Sequence, residues 1–322
     1  MPSQILHTMF GEDVFSKVSN KKIPRECRSV FVLGCQGPDI FYHSQRSRPV
    51  ALQYGSLLHR RSFGIFCANL LENASDPRLR WYAFGFMTHA ILDRACHPYI
   101  IYRAGKTYHS FFERILDVLM LKKLRCLTPD LWDQEQILAG ICENPPQGLK
   151  ELLARSLSKT FPEKVNKDRS LLRRIDNAFA DSARFYNMSS PAKLKKTFSD
   201  PNAERPVLSR RALNYMYPEN VTTEIDFLNL NRKPWRYPYR TQNGEMPKDD
   251  NRSFVEIYQD ALKAAIDSIA PYKKIPADEI AGKIGNGCLS IIDEEGKPCA
   301  PNLTEILSFQ EVLDQQAKLR GI

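Results

Sequence analysis

All six histidines of this chain, His7, His43, His59, His89, His97 and His109, fall within the first 109 of its 322 residues. Their spacing limits the fold more sharply than their number. His89, Asp93 and His97 follow one another at intervals of four, and His109 and Glu113 repeat the interval. Residues four apart on an α-helix lie one above the other on one face. Such a pair sits about 5–6 Å apart at Cβ, so both side chains reach one ion. A lone His–Asp pair at this interval is ordinarily a solvated ion pair. Here the segment PRLRWYAFGFMTHAILDRACH is apolar almost all round, which predicts a buried helix. A buried carboxylate and imidazole need a partner or a metal. Two such pairs on consecutive helices point to metal.

Ligand chemistry narrows the ion. Imidazoles and carboxylates without a thiolate motif suit zinc, with iron, manganese or nickel as alternatives. His7, Asp39, His59, His89, Asp93, His97, His109 and Glu113 are eight candidate ligands. A catalytic zinc takes about three protein ligands and keeps one position open. Eight ligands with one shared carboxylate therefore fit three ions.

The periodicity predicts an all-α chain, with helices over 50–73, 77–97, 107–123, 129–140, 147–160, 168–188, 252–271 and 302–318. Pro98 is expected to end the second, because proline disfavours helix at the residue before it. Thr107 is expected to cap the third. The run VFVLGCQGPDIF is broken by Gly34, Gly37 and Pro38, turn chemistry that would present Asp39 from a loop. From about 217 to 251 four prolines and several aromatics interrupt any helical period, which predicts a long ordered loop. There Phe227, Trp235, Tyr237 and Tyr239 alternate with Arg232, Lys233 and Arg236. These side chains would meet a lipid interface, stack on unpaired bases, or pack the loop to the core. Asn229 and Asn231 are candidates to face the cleft. Residues 1–273 are read as one helical domain and 274–322 as an extension packed on it.

Composition excludes several classes. Hydrophobic residues at 43% and charged residues at 26% are ordinary globular usage, which rules out disorder, collagen and coiled coil for the whole chain. No apolar run approaches the roughly 18 residues a membrane-spanning helix needs. The start lacks the basic and apolar regions of a secretory signal, and the eight cysteines form no C-x-x-C pair. A reducing, cytoplasmic setting is expected, with contact at the inner membrane face allowed. The net charge of +9 suits an anionic partner: phosphate, nucleic acid or an acidic membrane. Basic residues come in short groups, as on solvated helix faces.

The pattern resembles the zinc-dependent phospholipase C family, which includes the zinc-dependent single-strand nucleases. The matching stretches are His7 in ILHTMFGEDVF, the loop LGCQGPDIF, His59, GFMTHAILDRACHPYI and HSFFERILD, all within residues 1–120, with a weaker echo in DFLNLNRKPW. The resemblance implies a multi-helical fold with a tri-metal cleft. Asp39, His59, His89 and Asp93 would hold one zinc, and His97, His109 and Glu113 a second. Asp93 would bridge to a third, shared with His7 and the amino terminus. Pro2, exposed by removal of Met1, would supply that amine. Asp39 would also orient or deprotonate the attacking water, with Arg60 or Arg61 neutralising the phosphodiester.

Glu113, rather than Asp, resembles the phospholipase side of the family. Choline-preferring members carry Tyr and Phe where this chain has Ile40 and Ser56, so the resemblance does not extend to choline. His43 has no family counterpart and is expected at the surface or in the cleft. The implied function is metal-assisted attack of water on the phosphorus of a phospholipid or related phosphodiester. The alternatives are a nuclease acting on single-stranded nucleic acid and a metal-stapled domain that binds lipid or protein without catalysis.

Overall fold

Helix dominates the computed structural model of the chain, which describes residues 4–19, 23–46, 50–199, 210–247, 249–269 and 276–321. In chain order come α1 (Gln4–Val18), α2 (Arg25–Cys35), α3 (Ile40–His43), α4 (Val50–Arg60), α5 (Phe63–Asn73), α6 (Pro77–Ala104) and α7 (His109–Arg125). Then follow α8 (Pro129–Trp132), α9 (Gln134–Glu143), α10 (Leu149–Thr160), α11 (Pro162–Val165), α12 (Leu171–Ser189), α13 (Pro191–Ser199) and α14 (Arg210–Leu213). The last helices are α15 (Phe254–Ile269), α16 (Ala277–Ile284) and α17 (Gln310–Arg320). A 3₁₀ turn, Gly37–Asp39, links α2 to α3. Within the proline-rich loop, β1 (Trp235–Arg236) pairs antiparallel with β2 (Asp249–Asp250). The all-α class expected from the sequence is the class observed.

Helix α6 is the axis, and α1, α2, α5 and α15 pack around it. Its start is capped by Asp76, whose side chain accepts from Arg78 N at 2.7 Å. Contrary to expectation, it runs through Pro98 to Ala104. A proline inside a helix costs about 3 kcal/mol. Beyond it, however, Tyr99, Ile100, Ile101 and Tyr102 are all buried. Large side chains contribute roughly 1.5–3 kcal/mol each on burial, and together they outweigh the proline.

Other boundaries shift where the far end of the chain intervenes. The helix expected over 50–73 divides at Ser62, which takes a left-handed φ of 59° and donates its N–H to Asn286 O at 3.0 Å. The helix expected from 107 starts at His109, and Thr107 does not cap it. The run expected to be helical from 302 turns helical only at Gln310. Residues 302–309 instead reach back to the end of α6, where Glu305 N and Leu307 N donate to Tyr102 O and Arg103 O at 2.8 and 2.9 Å. Those carbonyls lack partners within their own helix.

The segment expected to be a broken apolar run is helix α2, with Gly34 inside it. A Cβ on Gly34 would lie 2.2 Å from Tyr82 O, and one on Gly85 would lie 2.4 Å from Phe31 O. The two backbones therefore touch, which sets Asp39, just past α2, against the middle of α6.

Helix α1 is held by a buried polar cluster. Asp117 of α7 accepts from Leu6 N at 2.8 Å and Ile5 N at 3.3 Å, first-turn donors without helical partners. Its negative charge also suits a helix N-terminus. Tyr217 OH lies 3.0 Å from Asp117 Oδ2, and the Arg114 guanidinium sits 4.1 Å above the Tyr217 ring. This clamp fixes the turn that bears His7.

Two stability outcomes follow. Helix propensity alone predicts that Gly34→Ala stabilises by up to about 1 kcal/mol. Backbone contact with Tyr82 reverses the sign, and a loss of about 1–3 kcal/mol is expected in urea unfolding. Asp117→Ala should cost about 2–4 kcal/mol by the same measurement, because it strips acceptors from buried N–H groups and a counter-charge from Arg114. Asp117→Asn, which keeps an acceptor, should cost less than half as much.

Candidate metal centre

Each candidate ligand is delivered by a different local device. Asp39 ends the 3₁₀ turn, and Gly37 before it has a φ of +54°. A Cβ on Gly37 would meet the His89 ring at 2.4 Å, so only glycine lets the turn lie against that histidine. His59 sits in the last turn of α4. His89, Asp93 and His97 form the predicted ladder on α6, with His109 and Glu113 on α7 and His7 on α1. The structure brings all eight side chains together. Three groups have ligand atoms within 4.8 Å of one another: His7, His89 and Asp93; Asp39, His59 and His89; and His97, His109 and Glu113. The proposed amine of Pro2 lies outside the described residues.

Backbone carbonyls orient three of the rings. His59 Nδ1 donates to Gly55 O at 2.8 Å, and His89 Nδ1 to Cys35 O at 3.2 Å. His97 Nδ1 donates to Leu289 O at 2.9 Å and Asp93 O at 3.0 Å. The Nε2 atoms of these three are thereby free to face the carboxylates, the arrangement that metal-binding histidines need. His109 Nε2 lies 2.9 Å from Glu113 Oε1. Asp93 faces two ways: Oδ1 is 3.2 Å from His7 Nε2, and Oδ2 is 3.2 Å from His89 Nε2 and 3.7 Å from His59 Nε2. Asp39 Oδ1 lies 3.0 Å from His59 Nε2. The rings of His7 and His89 stack at 4.1 Å, and those of His97 and His109 at 5.1 Å.

The electrostatics follow from burial. Burial pushes the Asp39 carboxyl up, but the charges of His89 and His59 overcome it and bring the pKa down to about 2. Asp93 is likewise opposed by burial yet held well below the carboxylate range by His97 and His89 and by bonds from His7 and His89. Glu113 is lowered against burial, chiefly by His109. Burial lowers His97, and the neighbouring His109 adds to this. The histidine charges that offset these carboxylates can be replaced by cations.

A bound ion fits these residues. His7 Nδ1 is buried and makes no hydrogen bond among the described residues. Such an atom is costly to leave unsatisfied. Imidazole and carboxylate donors at this density match zinc.

Asp39, His59, Asp93, His97, His109 and Glu113 line a cleft of about 540 Å³, whereas His7 and His89 are buried away from it. Its other walls were not visible in the sequence. Tyr42, Lys106 and Ser110 line it, as do Cys288, Ser290, Cys299 and Pro301 from the C-terminal part of the chain. That strip is fixed at several points. Leu289 N donates to His59 O at 2.7 Å, and Gly64 N donates to Gly285 O at 3.0 Å. Arg94 of α6 donates to Gly285 O at 2.8 Å. Gly285, Gly287, Pro298 and Pro301 give the strip a composition of turns, which carries no helical period to read.

The structure decides between some of the alternatives and corrects other expectations. Of the two arginines, Arg60 lines the cleft, whereas Arg61 pairs with Glu163 at 3.4 Å. His43 is neither at the surface nor in the cleft. It is buried between α3 and α12, 3.3 Å from Ser182 Oγ and stacked on Phe185, and burial drops its pKa to about 3. The aromatic loop packs to the core: Phe227 and Trp235 are buried, and Trp235 Nε1 donates to Arg252 O at 3.2 Å. Asn229 does not face the cleft, because its Nδ2 donates to Lys233 O at 3.0 Å and holds the loop itself. Asn231 is exposed, its N–H donating to Asp226 at 2.7 Å.

Among the described residues no helix is long and apolar enough to cross a membrane. No curated protein and no solved structure is similar enough to match the chain. Residues 6–186, more than half of the chain and all eight candidate ligands, match the sequence model of the family described as zinc dependent phospholipase C. The chain belongs to the zinc-dependent phospholipase C family, a family of phospholipase C-type hydrolases.

Proposed function

We propose that the chain is a zinc-dependent phosphodiester hydrolase of the phospholipase C type, acting on a phospholipid or related phosphodiester. The observation that supports it is the convergence of three histidine–carboxylate groups on one open cleft. In this reading Asp39, His59, His89 and Asp93 hold one zinc, and His97, His109 and Glu113 a second. Asp93 would also help to hold a third, with His7. Bound zinc supplies Lewis acidity toward the phosphoryl oxygens and lowers the pKa of water toward about 7.

The remaining steps belong to the chain. Asp39, at the floor of the cleft, orients the attacking water through its carboxylate and directs it at phosphorus. Backbone carbonyls of Cys35, Gly55 and Leu289 keep the imidazoles in the tautomer that faces inward. Water adds to phosphorus as the bond to the diacylglycerol oxygen breaks, and a proton given up by the water ends on that leaving oxygen. The products are a diacylglycerol-like alcohol and a phosphorylated headgroup. Access to the lipid requires peripheral contact with a membrane surface. The aromatic loop is packed into the core, which leaves it neither to stack bases nor to meet a lipid interface, and the lipid reading is preferred on the family match.

Two tests separate this reading from its rivals. Dialysis against a chelator should abolish diester hydrolysis, and zinc should restore it, with metal analysis giving three ions per chain. Asp39→Asn should lower kcat/KM by about 10²–10⁴-fold while fold and most of the zinc are kept. A purely structural centre predicts loss of stability without any hydrolysis to lose. A nuclease would cleave a short oligonucleotide in preference to phospholipid.

A further inference from the structure

The cleft carries charge that the metal groups do not use. Its carboxylates are Asp39, Asp93 and Glu113, and each is a member of a candidate metal group. No carboxylate among its lining residues is left to face a cationic headgroup. The same lining contains two cations, Arg60 and Lys106. Both are exposed at the mouth, and neither forms an ion pair or hydrogen bond with another described residue.

Their neighbours behave differently. Arg61 pairs with Glu163, Arg103 pairs with Glu305, and Arg94 donates to backbone carbonyls of the C-terminal strip. These three basic side chains beside the cleft are engaged elsewhere, whereas Arg60 and Lys106 line it without a partner among the described residues. The lining offers hydroxyls from Tyr42, Ser56, Ser110 and Ser290. Its one aromatic ring besides histidine, Tyr42, packs 4.9 Å from His59. Quaternary ammonium groups are held by several aromatic faces together with negative charge. Guanidinium and ammonium donors with hydroxyls suit phosphate and polyol groups instead.

We propose that the substrate is a phospholipid whose headgroup carries its own anion, a phosphorylated polyol by chemistry, with Arg60 and Lys106 taking that second charge. The inference rests on the hydrolase reading above and specifies its substrate class. The scissile phosphate lies over the metal groups, and the second anion lies at the mouth. The wall formed by residues 288–301 falls outside the 6–186 family match, so this end of the cleft is shaped by sequence beyond the matched region.

The test uses the zinc-loaded full chain and dispersed short-chain lipids with identical acyl chains. The headgroups compared are phosphocholine, phosphoinositol and phosphoinositol bearing a further phosphate. The expected result is a kcat/KM at least about tenfold higher for the doubly phosphorylated lipid than for the choline lipid, the size of one good charge-assisted contact. The double variant Arg60→Gln, Lys106→Gln should bring that ratio to about one at unchanged zinc content. Arg60→Lys with Lys106→Arg should keep most of it. Equal rates or a choline preference would overturn the inference and leave the hydrolase reading standing. A preference seen only in vesicles doped with a non-substrate anionic lipid would also overturn it, because the cations would then read the membrane surface. Absence of hydrolysis for every diester would remove the hydrolase reading and this inference with it.

Discussion

A carboxylate buried at the centre of a helical protein must be neutralised, and the fold is organised around doing so for Asp93. Only 5% of the residue is exposed. Its two oxygens face histidines from three helices: His7 of α1, His89 of α6 itself and His59 of α4. An ion of several kcal/mol desolvation cost becomes acceptable only if those helices converge. The backbone contact at Gly34 and Gly85, the left-handed Gly37 beside His89 and the Asp117 clamp on α1 each serve that convergence. A bound cation would do the same work with less constraint on proton position.

The clamp on α1 shows how one helix face serves two tasks. Glu113 and Asp117 lie one turn apart on α7. The first points into the metal cleft, and the second accepts the orphan N–H groups of α1. The position of His7 is therefore tied to the helix that carries His109 and Glu113. Arg114, between them, covers Tyr217 and keeps the second carboxylate from standing alone.

The ligand ladder was legible because both of its terms are local. An interval of four places side chains on one face, and the apolar surroundings of His89, Asp93 and His97 marked that face as buried. The helical class was legible for the same reason. What escaped reading depended on distant partners. Pro98 is tolerated because the turns beyond it are buried, a fact of packing that its neighbours in sequence do not carry. Ser62 breaks a continuous helical pattern because Asn286 accepts its N–H. Residues 302–309 have helical composition but stay outside any helix, where two of their N–H groups satisfy the last carbonyls of α6. The cleft wall near 288–301 has no period and no motif, and its role comes only from contact with His59 and His97. His43 was read from its residue type alone, and its burial beside Phe185 could not be seen.

The bond from His97 to Leu289 O has a consequence for the order in which the chain matures. Every candidate ligand side chain lies at or before residue 113, whereas the carbonyl that orients His97 arrives at residue 289. At synthesis rates of about 5–20 residues per second, roughly ten to thirty seconds separate the two. During that interval a growing chain holds the complete donor set without the strip that closes one side of it. The strip thus acts as a late keystone, converting a set of ligands that is early and open into a cleft that is finished only once residue 289 has been added.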